Sequence, residues 1–353
     1  MEWLESLILG AVQGLTEFLP ISSDGHLTIV QQAFARWTGH ERSGAENLFF
    51  DVMLHLGTLA AIVLYFRAVV RTGARGLLGA TEVPHAYRRA AVLRTGLLAF
   101  VATLPLVPLK LFLKDWIDRA FEGTTVAGIG FLITAIVLLL TIRLRGGEKG
   151  PEQTTYLDAL LIGIAQMFAP LPGVSRSGLT VAAALGLGLS RSWAVGFSLL
   201  IAVPAILGAA FFELKHLDPK ALDPDRVAQT VSATVLAGLV GYGAIIWLVK
   251  IVRSGRLWYF SVYLTVLATA VLTAVAASGG SPDARRTKAL DRPARVGGAG
   301  AGAGRGARGG AVGPLAHPLA VGARAGDARA GEAAGGGAGA PGLVLVRPLA
   351  RRT

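Results

Sequence analysis

Leu19-Pro20-Ile21-Ser22-Ser23-Asp24-Gly25-His26 interrupts an apolar run that begins at Leu4 and resumes to about Phe34. Pro170-Leu171-Pro172-Gly173-Val174-Ser175-Arg176-Ser177-Gly178 interrupts a second run, from Leu157 to about Leu189. Each half is too short to cross a hydrocarbon core of about 30 Å alone. A break rich in Pro and Gly, with its backbone unpaired, is tolerated at membrane depth only where protein or a watery cavity surrounds it. Both stretches are therefore expected to be re-entrant helix–loop–helix hairpins.

Six uninterrupted apolar stretches surround these breaks: about Phe49–Phe66, Ala90–Leu109, Val126–Ile142, Trp193–Phe212, Val227–Val249 and Trp258–Ala277. Each is long enough to span, and their Gly and Ala content allows close helix approach where lipid supplies no hydrophobic drive. Composition agrees, with 53% hydrophobic and 16% charged residues, where a soluble domain carries about a quarter charged. The expected fold class is an all-α polytopic membrane protein. The absence of cysteine excludes a disulfide framework and a Cys-based metal site. Met1-Glu2-Trp3-Leu4-Glu5 is acidic where a cleavable signal would be basic, so the first segment is expected to stay in the mature protein.

The hairpins resemble each other. A shift of 153 residues places Gly10 on Gly163, Gln13 on Gln166, Ser22 on Ser175 and Gly25 on Gly178. The expected architecture is a hairpin plus three spans used twice, about residues 1–142 and 155–278. An odd number of spans between the hairpins inverts the second copy, which places a polar site near the midplane where the broken helices meet.

Charge excludes a nucleic-acid face. Twelve Lys/Arg against four Asp/Glu from Ser281 onward give +8 of the chain's +12. The basicity thus belongs mostly to residues 281–353, a Gly/Ala/Arg/Pro stretch expected to be a disordered tail. Residues 1–280 form the expected membrane domain. There, Arg67, Arg71, Arg75, Arg88 and Arg89 mark one loop as cytoplasmic, as do Lys250, Arg253 and Arg256, and Arg143, Arg145 and Lys149 fall on the same side. The opposite loops hold Arg36 and Arg42, Lys110, Lys114 and Arg119, and Lys215, Lys220 and Arg226. The positive-inside rule then puts both ends of the membrane core outside.

Gln13 and Glu17 share one face of the first half-helix. An ionisable Glu17 beside Leu15, Phe18 and Leu19 should face an interior cavity and a partner, although a short amphipathic helix would let it face water. Ser22, Ser23 and Asp24 suit a helix cap, and a capped N-terminus is itself an anion site. His26 adds a group that titrates near neutrality. In the second loop Ser175, Ser177 and Thr180 surround Arg176, whose planar fork suits phosphate and cannot deprotonate. Arg176 beside a cap is simply accounted for by snorkelling, but two polar loops meeting at a repeat interface favour a phosphate-handling cavity.

Gln13-Gly14-Leu15-Thr16-Glu17-Phe18-Leu19-Pro20-Ile21-Ser22-Ser23, with Gly25-His26, and Pro172-Gly173-Val174-Ser175-Arg176-Ser177-Gly178, with Thr180, resemble the signatures of the undecaprenyl-diphosphatase (bacitracin-resistance) family. The resemblance extends to about residue 278. It implies hydrolysis of undecaprenyl diphosphate to the monophosphate and inorganic phosphate, which recycles the cell-wall carrier lipid and confers bacitracin resistance. It implies Ser23 as nucleophile, His26 in acid/base chemistry, and Arg176 gripping the diphosphate with Ser175, Ser177 and Thr180. Gln13 and Glu17 are associated with a divalent cation, Mg or Ca. A bacterial inner-membrane location with an outward-facing site, a polyprenyl diphosphate partner and a homodimer accord with it. The residues themselves add Ser22 at the phosphate site, let either Glu17 or His26 take the serine proton, and leave direct attack by water, with Ser23 only orienting it, open. Two positions depart from the pattern: Gln13 stands where many members have Glu, and Asp24 where a small hydroxyl residue is expected. A lipid transporter with the same repeats is the alternative. A phosphatidic-acid-type phosphatase is disfavoured, because no Lys precedes Ser23 and no His closely follows Arg176.

Overall fold

In the computed structural model, residues 2–39, 44–112, 123–144, 146–215 and 224–277 are described. Arg42, Lys114, Arg119, Arg145, Lys220 and the expected tail lie outside the described residues. Among the described residues the fold is all helical, without strands.

Both expected breaks are present. Helix α1 (Glu2–Phe18) and α2 (Ser23–Thr38) flank the first, and each runs a few residues longer at its outer end than the apolar run alone suggests. Further along the chain, α8 (Tyr156–Gln166) and α9 (Arg176–Gly186) flank the second. Between them come α3 (Gly44–Tyr65), α4 (Arg67–Leu77), α5 (Arg89–Thr103), α6 (Leu106–Phe112) and α7 (Thr124–Leu140). The chain continues with α10 (Arg191–Leu214), α11 (Pro224–Ser254) and α12 (Tyr259–Ala277). Six helical segments among the described residues are long and apolar enough to cross a membrane: Asn47–Tyr65, Arg89–Leu109, Thr124–Arg143, Arg191–Leu214, Asp225–Ser254 and Tyr259–Ala277. They coincide with the six stretches read from the sequence. Leu239, Phe211 and Val266 on these segments are all more than 60% exposed, a disposition suited to lipid.

Small residues set the packing. Helix α1 lies on α11, where a Cβ on Gly10 would come 2.5 Å from the Ala233 carbonyl oxygen. Helix α8 lies on α5, where a Cβ on Gly163 would come 2.3 Å from the Ala102 carbonyl oxygen. Only glycine permits either approach. The first half-helix of each hairpin thus packs on a spanning helix from the other half of the chain, and α7 likewise packs on α12. Phe18, Phe131, Leu138 and Phe197 are fully buried and join one core, against which the hairpin tips are set.

Candidate active site

The two tips meet. A Cβ on Gly25 would lie 2.7 Å from the Gly173 backbone nitrogen and 2.7 Å from the Phe131 ring, so glycine here lets the hairpins touch. Ser177 Oγ donates across the junction to the Leu19 carbonyl at 3.1 Å. Gly173, at φ 83°, adopts a backbone conformation natural to glycine.

Ser22 is the only non-glycine among the described residues with positive φ, at 69°. Such a conformation costs on the order of 1–3 kcal/mol and persists only where the surroundings over-determine it. Here they do: buried Ser22 caps α2 by accepting from the Gly25 N–H at 3.3 Å, and its carbonyl accepts from His26 Nδ1 at 2.7 Å. The bend starts α2 at Ser23 and points its hydroxyl back toward α1.

Glu17 is the centre of the cluster. Its Oε2 accepts from Ser23 Oγ at 2.7 Å and from Gln13 Nε2 at 2.9 Å. Its Oε1 accepts from Arg176 Nη2 at 2.6 Å, 159 residues away. The carboxylate side chain is 4% exposed and Arg176 is 17% exposed. A buried carboxylate needs both a counter-charge and hydrogen bonds, and Glu17 has them. Chemically, a serine hydroxyl on a carboxylate can act as a nucleophile with its base, and an arginine on the other oxygen can hold an anion.

The other expected residues divide. Ser175 Oγ caps α9 at the Gly178 N–H, 3.2 Å away, and lies 3.2 Å from Ser177 Oγ. The Ser175 N–H donates to Thr134 Oγ1 at 3.0 Å, and that hydroxyl donates to the Gly173 carbonyl at 2.9 Å. Thr180 Oγ1 donates to the Arg176 carbonyl at 2.8 Å and lies 2.6 Å from Ser198 Oγ. These three buried hydroxyls therefore build the loop that presents Arg176. His26 faces α12: with Nδ1–H on the Ser22 carbonyl, Nε2 accepts from the Tyr263 hydroxyl at 2.8 Å, and the two rings stack 5.9 Å apart.

His55 and Asp24 complete the site. His55 Nε2 is 3.7 Å from Glu17 Oε2 and 3.9 Å from Asp24 Oδ1. The sequence reading passed over His55, although an imidazole inside an apolar span is a signal of an interior partner.

Gln13 and Glu17 do not fit a divalent cation as a pair. The Gln13 amide turns its N–H rather than its oxygen toward Glu17, and its own Oε1 is buried without a hydrogen-bond partner. Both Glu17 oxygens already accept from protein donors, and no group of three or more His, Cys, Asp or Glu among the described residues is arranged to hold a metal.

Comparison with known proteins decides the family. The description "Bacitracin resistance protein BacA" matches residues 6–270. The chain belongs to the BacA family. A protein of Carboxydothermus hydrogenoformans named undecaprenyl-diphosphatase is 38% identical over 280 residues, covering 78% of this chain and 99% of that one. Proteins of the same name from a Nocardioides species and from Micrococcus luteus are each 36% identical, covering 97% and 99% of their own lengths. All of the site residues above fall inside the span matched to BacA, as do both hairpin tips, and the match ends before the low-complexity stretch.

Proposed function

We propose that this multi-pass membrane protein hydrolyses undecaprenyl diphosphate to undecaprenyl phosphate and inorganic phosphate. The observation that carries the reading is the Glu17 carboxylate shared between Ser23 and Arg176 where the N-termini of α2 and α9 meet, in a chain of the BacA family. Ser23 Oγ attacks the terminal phosphorus while its proton passes to Glu17, and the bond to the bridging oxygen breaks, releasing the lipid monophosphate. Water then attacks the phosphoserine and releases phosphate. Arg176 and the two helix ends stabilise charge on the phosphoryl oxygens, most of what phosphoryl transfer asks of a protein. His26, with its ring nitrogens on the Ser22 carbonyl and the Tyr263 hydroxyl, is given no step. A chelator arm in the assay measures whether a metal ion is used. Purified protein should release phosphate from undecaprenyl diphosphate. Lipid binding without release would favour a transporter instead.

We also read the two hairpin-containing halves as inverted copies, with the site open to the outer face of a bacterial inner membrane. Support comes from the matching close approaches at Gly10 and Gly163, which are equivalent under the 153-residue shift, and from the Arg67–Arg89 cluster. In a chain without native cysteine, a single cysteine replacing Glu82 should escape an impermeant maleimide in intact cells and react in inverted vesicles. Labelling from outside would reverse the orientation.

Residues 1–280 are proposed to carry all of the activity. Truncation after Gly280 should change neither expression nor phosphate release by more than about twofold, as expected for a low-complexity extension. A truncate that fails to insert would give the tail a structural role.

A further inference from the structure

Asp24 presents an electrostatic problem. It sits in the first turn of α2, at the helix end that should receive a diphosphate, and its side chain is 29% exposed. An uncompensated carboxylate there would oppose the incoming charge, because like charges at close range are costly in a partly dry site. Among the described residues its one ion-pair partner is His55.

The geometry of His55 suits that task. A carbonyl only accepts, so the 2.8 Å contact with the Asp51 carbonyl makes Nδ1 the donor. This fixes the ring one turn along its own helix and leaves Nε2 facing both Glu17 and Asp24. A bare nitrogen lone pair there would meet only acceptor oxygens, so the position favours Nε2–H. Asp51 is itself tied to α2 through Gln31 Nε2 at 3.3 Å, which couples α3 to the helix that carries Asp24. The His55 side chain is 28% exposed and that of Asp24 29%, so neither is sealed in the core.

We propose that His55 is a positioning residue that bridges Asp24 and Glu17, cancelling the Asp24 charge at the mouth of the diphosphate site and holding the carboxylate away from the phosphate path. Asp24 and His55 then act as a compensated pair, in which Asp24 is harmful once His55 is lost. The inference rests on the phosphatase reading for its substrate but can be judged by binding alone.

The test uses the full chain in detergent and a double-mutant cycle with two readouts. These are KM and kcat for undecaprenyl diphosphate, and Kd for farnesyl methylenediphosphonate, which cannot be hydrolysed at the bridge. His55→Ala should raise KM and Kd about tenfold or more, with a smaller change in kcat, a coupling typical of directly interacting groups. Asp24→Asn in the same chain should remove most of that rise. His55→Gln, which keeps a polar group without the charge, should behave as His55→Ala and serves in its place if that variant does not fold. Equal losses from His55 substitution with Asp24 intact and with Asp24→Asn already in place would overturn the inference and leave His55 a packing residue. Rescue by His55→Gln would overturn the charge argument. If the wild type binds the analogue but releases no phosphate, the phosphatase reading fails while the affinity pattern still decides the role of His55. Failure of the wild type to bind the analogue would overturn both.

Discussion

Ser23→Ala is expected to lower phosphate release by at least about 10³-fold, since deleting a covalent nucleophile can cost up to about 10⁶-fold, while affinity for the lipid diphosphate changes little. The expectation follows from the 2.7 Å hydrogen bond between Ser23 Oγ and Glu17 Oε2. Among the described residues it is the one contact at the hairpin junction that pairs a hydroxyl with a carboxylate able to take its proton. The strained Ser22 aims that hydroxyl, and the alanine variant keeps the bend because Ser22 makes the cap and accepts from His26. Affinity persists because Arg176 and the helix N-termini are untouched. Single-turnover release with radiolabelled substrate checks both quantities. If Ser23→Ala keeps more than about a tenth of the wild-type rate, Ser23 is no nucleophile. Water would then attack directly, activated from the same carboxylate.

Much of this arrangement was legible in the sequence because membranes leave few options. Pro20, Pro170 and Pro172 disfavour a continuous helix and stand among Gly and Ser, so these two runs were expected to turn back, whereas the six long apolar runs were expected to be helices. Glu17 stood out because a carboxylate beside Phe18 and Leu19 needs a buried partner. The identity of that partner was partly legible: a phosphate-binding Arg176 was expected, but its direct bond to Glu17 joins residues 159 apart and depends on how the hairpins dock. The family resemblance implied Ser175, Ser177 and Thr180 as substrate contacts. The Ser175 cap on Gly178 is local, but the bonds of Ser177 to Leu19 and of Thr180 to Ser198 are tertiary facts that no local pattern encodes. His55 was missed for a different reason. It lies in an unbroken span, outside both motifs, and its proximity to Asp24 comes from α3 packing beside the first hairpin. Asp24, by contrast, was seen as a departure, and its compensation comes from a residue well outside the motif that carries it.

Arg176→Lys should reduce the rate by about 10²–10³-fold, the loss typical of removing one preorganised charge-stabilising donor, even though the formal charge is kept. Arginine can hold Glu17 Oε1 through Nη2 at 2.6 Å while its remaining N–H groups stay available for a phosphoryl oxygen. A lysine ammonium is a point charge on a flexible stem and cannot serve both in a fixed fork. Glu17→Gln should be comparably severe, since it removes the proton acceptor for Ser23 and leaves Arg176 facing a neutral amide. Breaking a buried pair by removing one partner also costs on the order of 3–5 kcal/mol. Arg176 is 17% exposed, so the stability loss should fall below that range and show as a lowered unfolding temperature in the purified protein. The combined Arg176→Lys, Glu17→Gln variant should be scarcely slower than the worse single variant, because groups that act as one unit lose their effect together. Multiplicative losses in the pair would mean that Arg176 and Glu17 act on separate steps. The 2.6 Å contact would then be a structural staple between the hairpins, and the anion clamp would have to be sought among the helix N-termini alone.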